Sequence, residues 1–226
     1  MSEKGELLAF DVELTEREAF CIGKIIALWA ALEHEIFTQT LETFLLEQGE
    51  VDKLPKKMNG VQFTETLELW RTRVIGTAEG KRREVLERQY NVICQCHQYR
   101  NALVHGMWEW PVQDPGLLVS VRVNKRDLIK VAFTPDDLEH FHLTLQKINI
   151  RIRAPGGIPD MLGKVAQRGF RRSRRSIALF SDHPIANELI PSSKSARPHP
   201  DETNEPIDDS GYFPPLADDR RNRDRN

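Results

Sequence analysis

The sequence predicts a mainly α protein: an antiparallel helical bundle with a short β-hairpin between its third and last helices and a disordered C-terminal tail. Three observations carry this. Apolar residues recur at helical spacing through most of the first 105 positions. The period then changes to that of strands in two short β-branched runs between 118 and 133. From 184 onward the chain holds 7 of its 13 prolines and few apolar residues, too few to offset the entropy of ordering the backbone.

Each element has its own local cause. Thr15 followed by Glu18 has the capping-box spacing. Phe20, Ile22, Ile25, Ile26, Trp29, Leu32, Ile36, Phe37, Leu41, Phe44 and Leu45 then mark one long helix to about 48, ended by Gly49 and the stretch around Pro55. A second helix over about 64–77 carries Leu67, Leu69, Trp70 and Val74, and a third over about 81–105 carries Val85, Leu86, Tyr90, Ile93, Cys94, Leu103 and Val104. The runs 118–123 and 128–133 flank Asn124-Lys-Arg-Asp127 and read as a hairpin. Thr134 before Pro135 is a helix start with proline at the first helical position. It opens a last helix through Leu138, Phe141, Leu143, Leu145, Ile148 and Ile150.

Charge divides the chain where the helices end. The whole chain carries a formal −2, which gives no global sign of a nucleic-acid binder. Residues 1–150 hold 18 basic and 23 acidic side chains, 151–183 hold 8 and 2, and 184–226 hold 6 and 9. The expected organisation is a helical domain over 1–153, a basic linker or extension over 154–183 and a disordered tail over 184–226. No apolar run approaches the ~18 residues of a membrane span. The charged N-terminus lacks a signal-peptide core. Three cysteines, Cys21, Cys94 and Cys96, are an odd and sparse set that fits a reducing, cytoplasmic compartment.

The residues that carry chemistry stand at the end of the third helix, in Gln98-Tyr99-Arg100-Asn101-Ala102-Leu103-Val104-His105-Gly106. Asn101 and His105 are i,i+4 neighbours on one face. Arg100 lies about 140° around the helix from His105 at ~100° per residue, so one helix does not by itself bring the two heads together. A symmetric partner supplying a second copy would complete such a site. Arg100-Asn101-Ala-Leu-Val-His105 resembles the Arg–x(4–6)–His motif of the HEPN superfamily, whose domains are small helical bundles that commonly dimerise through the motif-bearing helices. The resemblance implies an endoribonuclease needing neither metal nor other cofactor, of the toxin–antitoxin or antiviral-defence kind. It implies Arg100 and His105 as catalytic residues with Asn101 assisting, RNA as substrate, a homodimer, and an antitoxin or regulatory protein as a further partner. The sequence departs from the His-x-Tyr ending of HEPN toxins that are regulated by tyrosine modification, since His105-Gly106-Met107 stands there.

The residue types suit that reaction. His titrates near neutrality and serves as general base or acid. Arg offers a permanent planar fork to phosphate oxygens. Both also have a structural reading as cations at a helix C-terminus. A non-catalytic HEPN-like module that binds RNA or protein is the alternative from another class.

Glu33 sits on the apolar stripe with Trp29, Ile36 and Phe37, where a carboxylate needs a partner. Arg100 or His105 is the expected one, Glu33 then orienting the pair from behind; the other reading turns Glu33 to solvent. The stretch Gln167 to Ser176 holds Arg168, Arg171, Arg172, Arg174 and Arg175 with Phe170. It reads either as an RNA contact through phosphates and stacking or as a solvated extension. Cys94-Gln-Cys96-His97 suggests zinc, but two helical residues two apart point about 200° away from one another. No second ligand pair follows, so thiols in a core and no metal are expected.

Overall fold

The computed structural model describes residues 12–48, 54–124, 127–157, 159–160 and 185. Within them the chain is mainly helical, with four α-helices and one small antiparallel sheet. Helix α1 spans Glu16–Gln48, α2 spans Phe63–Trp70, α3 spans Gly80–His105 and α4 spans Pro135–Arg153. A 3-10 turn, Lys56–Met58, precedes α2. Strands β1 (Met107–Glu109), β2 (Leu118–Asn124) and β3 (Asp127–Phe133) lie in the order β1-β2-β3 between α3 and α4.

The two capping signals form as spaced. The Thr15 N–H donates to Glu18 Oε2 at 2.8 Å while the Glu18 N–H donates back to Thr15 Oγ1 at 3.3 Å. Thr134 and Asp137 repeat the exchange at 2.9 and 3.1 Å ahead of Pro135. Each pair satisfies two N–H groups that a helix start leaves without partners.

Helix α1 packs against α2 and α4, and α3 packs against α4 and the sheet. Between them lies one core, built on Trp29, Leu32 and Ile36 of α1, Trp70 of α2, Ile93 and Leu103 of α3, Phe133 of β3 and Phe141 of α4. Alternation in β2 turns Leu118 and Ser120 inward, paired with Phe133 and Val131 of β3.

Two expectations are corrected. The second helix starts at Phe63, and its α-geometry ends at Trp70, where a π-helical turn, Arg71–Ile75, takes over. An apolar period does not distinguish the two geometries over so short a span. The hairpin is one part of a three-stranded sheet, because Met107–Glu109 pairs with Val119–Val121. Three residues are too few to show alternation. Phe20, Ile26, Leu45, Leu143 and Ile150 follow the helical spacing yet are exposed.

Among the described residues no helix is long and apolar enough to cross a membrane. The chain divides after Arg153 into two units. In the second, the Gly157 N–H donates to Ala154 O at 2.9 Å with Gly157 at φ 79°, and the Asp160 carboxylate accepts the Gly156 N–H at 2.8 Å. The five arginines Arg168, Arg171, Arg172, Arg174 and Arg175 lie outside the described residues, as does the tail from 186 onward.

Candidate active site

A helix leaves its last carbonyls unpaired, and the sheet supplies their partners here. Ala102 O accepts the Gly106 N–H at 2.9 Å and the buried Ser120 hydroxyl at 2.5 Å. Leu103 O accepts the Trp108 indole N–H at 2.9 Å. The final turn of α3 is thus held by β1 and β2. Gly106 has extended backbone, φ −84° and ψ 157°, which any residue adopts. Its requirement is space: a Cβ there would stand 1.9 Å from Ser120 Oγ.

On this anchored end the sequence-predicted residues come together. Arg100 Nη1 donates to Asn101 Oδ1 at 3.1 Å and lies 3.3 Å from His105 Nε2. The long arginine side chain bridges the angular gap that separates the two positions on the helix. Arg only donates, so His105 Nε2 presents its lone pair in this contact. His105 itself is exposed, and Arg100 and Asn101 are half-buried.

The cluster extends to His97, one turn before Asn101. With Asn101 Oδ1 taken by Arg100, the Asn101 amide nitrogen faces His97 Nε2 at 3.0 Å. His97 Nε2 therefore accepts, and its ring proton sits on Nδ1. Burial pushes the His97 pKa below its ordinary value; the positive charges of Arg100 and of Arg122 on β2 push the same way, and Glu33 opposes them. The His97 ring stacks on Trp29 at 5.8 Å between centroids and meets Phe63 at 5.6 Å. The Arg100 guanidinium stands 6.0 Å from the Trp29 ring centre, within cation–π range.

Glu33 does not take Arg100 or His105 as its hydrogen-bond partner. Its Oε1 accepts the Trp29 indole N–H at 2.6 Å, one turn back on the same helix. Its influence on the cluster passes through the indole it holds and through its charge beside His97. A cleft of about 420 Å³ opens next to it, with Phe37, Val61 and Phe63 among its walls.

His97, Arg122, Trp29 and Phe63 are members of the site that the sequence reading did not assign. For His97 the signal was present: His97, Asn101 and His105 stand at i, i+4 and i+8 on one helical face. Arg122 and Phe63 come from other elements and left no local mark. Cys96 is fully buried among apolar side chains and Cys94 is half-buried, burial raising the pKa of both thiols. Among the described residues no group of three or more His, Cys, Asp or Glu is arranged to hold a metal ion. Comparisons with protein-family models, curated proteins and solved structures find no match to this chain.

Proposed function

We propose that this chain is a HEPN-like endoribonuclease that cleaves RNA by attack of a ribose 2′-hydroxyl on the adjacent phosphate, with Arg100 and His105 as catalytic residues. The observation that carries the reading is the 3.3 Å contact between Arg100 Nη1 and His105 Nε2. A cation and a neutral imidazole within reach of one phosphate are what this reaction requires. The arriving phosphate draws the guanidinium onto its non-bridging oxygens, where charge accumulates in the transition state. That exchange releases the His105 lone pair, which takes the 2′-hydroxyl proton. The 2′-oxygen–phosphorus bond forms as the bond to the 5′-oxygen breaks, and the leaving 5′-oxygen takes up a proton. The products are a 2′,3′-cyclic phosphate and a 5′-hydroxyl. Asn101 holds Arg100 in place, and Arg122 adds positive potential beside the site.

The same reading includes a homodimer in the cytoplasm, meeting along α3 so that two motif copies face one RNA, and a protein antitoxin or regulator. Sedimentation at micromolar concentration checks the first of these: a strict monomer removes the dimer. A second reading, a protein-binding module without catalysis, draws on exposed Met107, Val123 and Leu128 on the outer face of the sheet. One experiment separates the two. Purified full-length chain is incubated with total RNA in EDTA, beside Arg100→Ala and His105→Ala. Cleavage by wild type that is lost in both variants supports the nuclease; intact RNA throughout supports the module.

A further inference from the structure

The cleft beside Glu33 has no role in the reaction just described. Its volume, about 420 Å³, falls within the ~300–1,000 Å³ of small-ligand sites. Phe37 and Phe63 give it aromatic walls, and Glu33 and His34 are its polar groups. Phe63 and Glu33 belong at once to the cleft and to the surroundings of His97. Asn101 joins His97 Nε2, at 3.0 Å, to Arg100 Nη1, at 3.1 Å, so a single side chain separates His97 from the Arg100–His105 pair. A base seated in the cleft is therefore a near neighbour of a phosphate held at Arg100 and His105.

We infer that this cleft is a guanine-binding subsite for a nucleotide flanking the cleaved phosphate. The inference rests on the nuclease reading for the identity of that phosphate, and on the cleft alone for the choice of base. Trp29 fixes Glu33 through one lone pair of Oε1, and Oε2 has no donor among the described residues, so each oxygen can still accept. A carboxylate offers acceptors only. Guanine is the common RNA base whose Watson–Crick edge carries two adjacent donors, N1–H and the N2 amino group. Adenine and cytosine set an acceptor beside their amino donor, and uracil sets its single donor between two carbonyls. Each would turn a lone pair toward the Glu33 carboxylate. Aromatic walls accept any base by stacking, so discrimination falls to Glu33.

The test titrates the full chain calorimetrically with 5′-GMP, 5′-AMP, 5′-CMP and 5′-UMP, and separately maps cleavage sites on a mixed-sequence RNA. GMP is expected to bind about tenfold more tightly than the others, as one bidentate pair gives, and cuts should carry guanine at one fixed flanking position. Glu33→Gln keeps a carbonyl oxygen for Trp29 but replaces an acceptor with a donor, so the guanine preference should vanish in both readouts. Phe63→Leu should weaken all four nucleotides alike, which gives an independent check should Glu33→Gln fold poorly. Equal binding of the four nucleotides by wild type, or a guanine preference that survives Glu33→Gln, overturns the inference. RNA cleavage without base preference also overturns the subsite but leaves the nuclease standing. Glu33-dependent GMP preference without any cleavage upholds the subsite and removes the nuclease.

Discussion

Glu33 and Glu35 stand two residues apart on α1, about 200° around the helix from each other, and belong to two polar clusters of opposite character. Glu35 is buried and faces α4, where Arg153 Nε meets its Oε2 at 3.1 Å. Gln39 donates to Glu35 Oε1 at 2.8 Å and to Ile152 O at 3.0 Å, and itself accepts the Trp70 indole N–H at 2.9 Å. The remaining Arg153 nitrogens reach Asn149 O and Ala31 O at 2.8 and 3.0 Å. The cluster is saturated from within. On the other side, Arg100 makes its hydrogen-bond contacts through Nη1, at 3.1 and 3.3 Å, His105 is exposed and Glu33 keeps one oxygen open. Both clusters contain arginine, a carboxylate and an amide. What marks the candidate site is that its bonds can be exchanged for bonds to a ligand.

That contrast is broken most sharply by substitution on each side. Arg100→Ala and His105→Ala should each lower the cleavage rate by about 10²- to 10⁴-fold while shifting stability by ~1 kcal/mol or less. Single-turnover kinetics beside a thermal melt reads both quantities. Glu35→Ala should do the reverse. It leaves the Arg153 charge with a lost partner and should cost about 2–3 kcal/mol, at or below the low end for a broken buried pair because Arg153 is partly exposed. Urea unfolding measures that loss, and cleavage per folded molecule should stay at the wild-type level.

Gly106→Ala tests the support that joins the site to the sheet. The new methyl collides with Ser120 Oγ and loosens the last turn of α3. A cost of about 1–3 kcal/mol is expected, with a fall in cleavage, read by the same melt and single-turnover kinetics.

The smallest expected effect is a dependence on pH. In the unfolded chain His97 takes up its proton near pH 6.5; in the folded chain it does so at lower pH. Between those values the unfolded state binds more protons, so stability falls as pH drops past about 6.5. Above that both forms are neutral and the contribution is nil. His142 is shifted the same way by burial, so His97→Gln should flatten the acid-side slope of a melting-temperature profile in part and not wholly.

Legibility in the sequence follows the range of the causes. The capping pairs Thr15–Glu18 and Thr134–Asp137 are local, and the helix starts they set were readable. Strand β1 was not, because Met107–Glu109 owes its conformation to pairing with β2 and to the Trp108–Leu103 bond. Arg100, Asn101 and His105 were readable as types and spacing, whereas their meeting depended on how an arginine side chain curls. The Trp29–Glu33 bond is local, between residues four apart on α1, and its i,i+4 spacing is visible in the sequence. Arg122 reaches the site only because alternation in β2 and the docking of the sheet on α3 carry it there.

The most direct measurement is the chemistry of the RNA ends made by the full chain in EDTA, beside His105→Ala. The expected result is 2′,3′-cyclic phosphate and 5′-hydroxyl ends from wild type and none above background from the variant. Ends bearing a 3′-hydroxyl and a 5′-phosphate, or an undiminished yield of cyclic phosphate from His105→Ala, would contradict it.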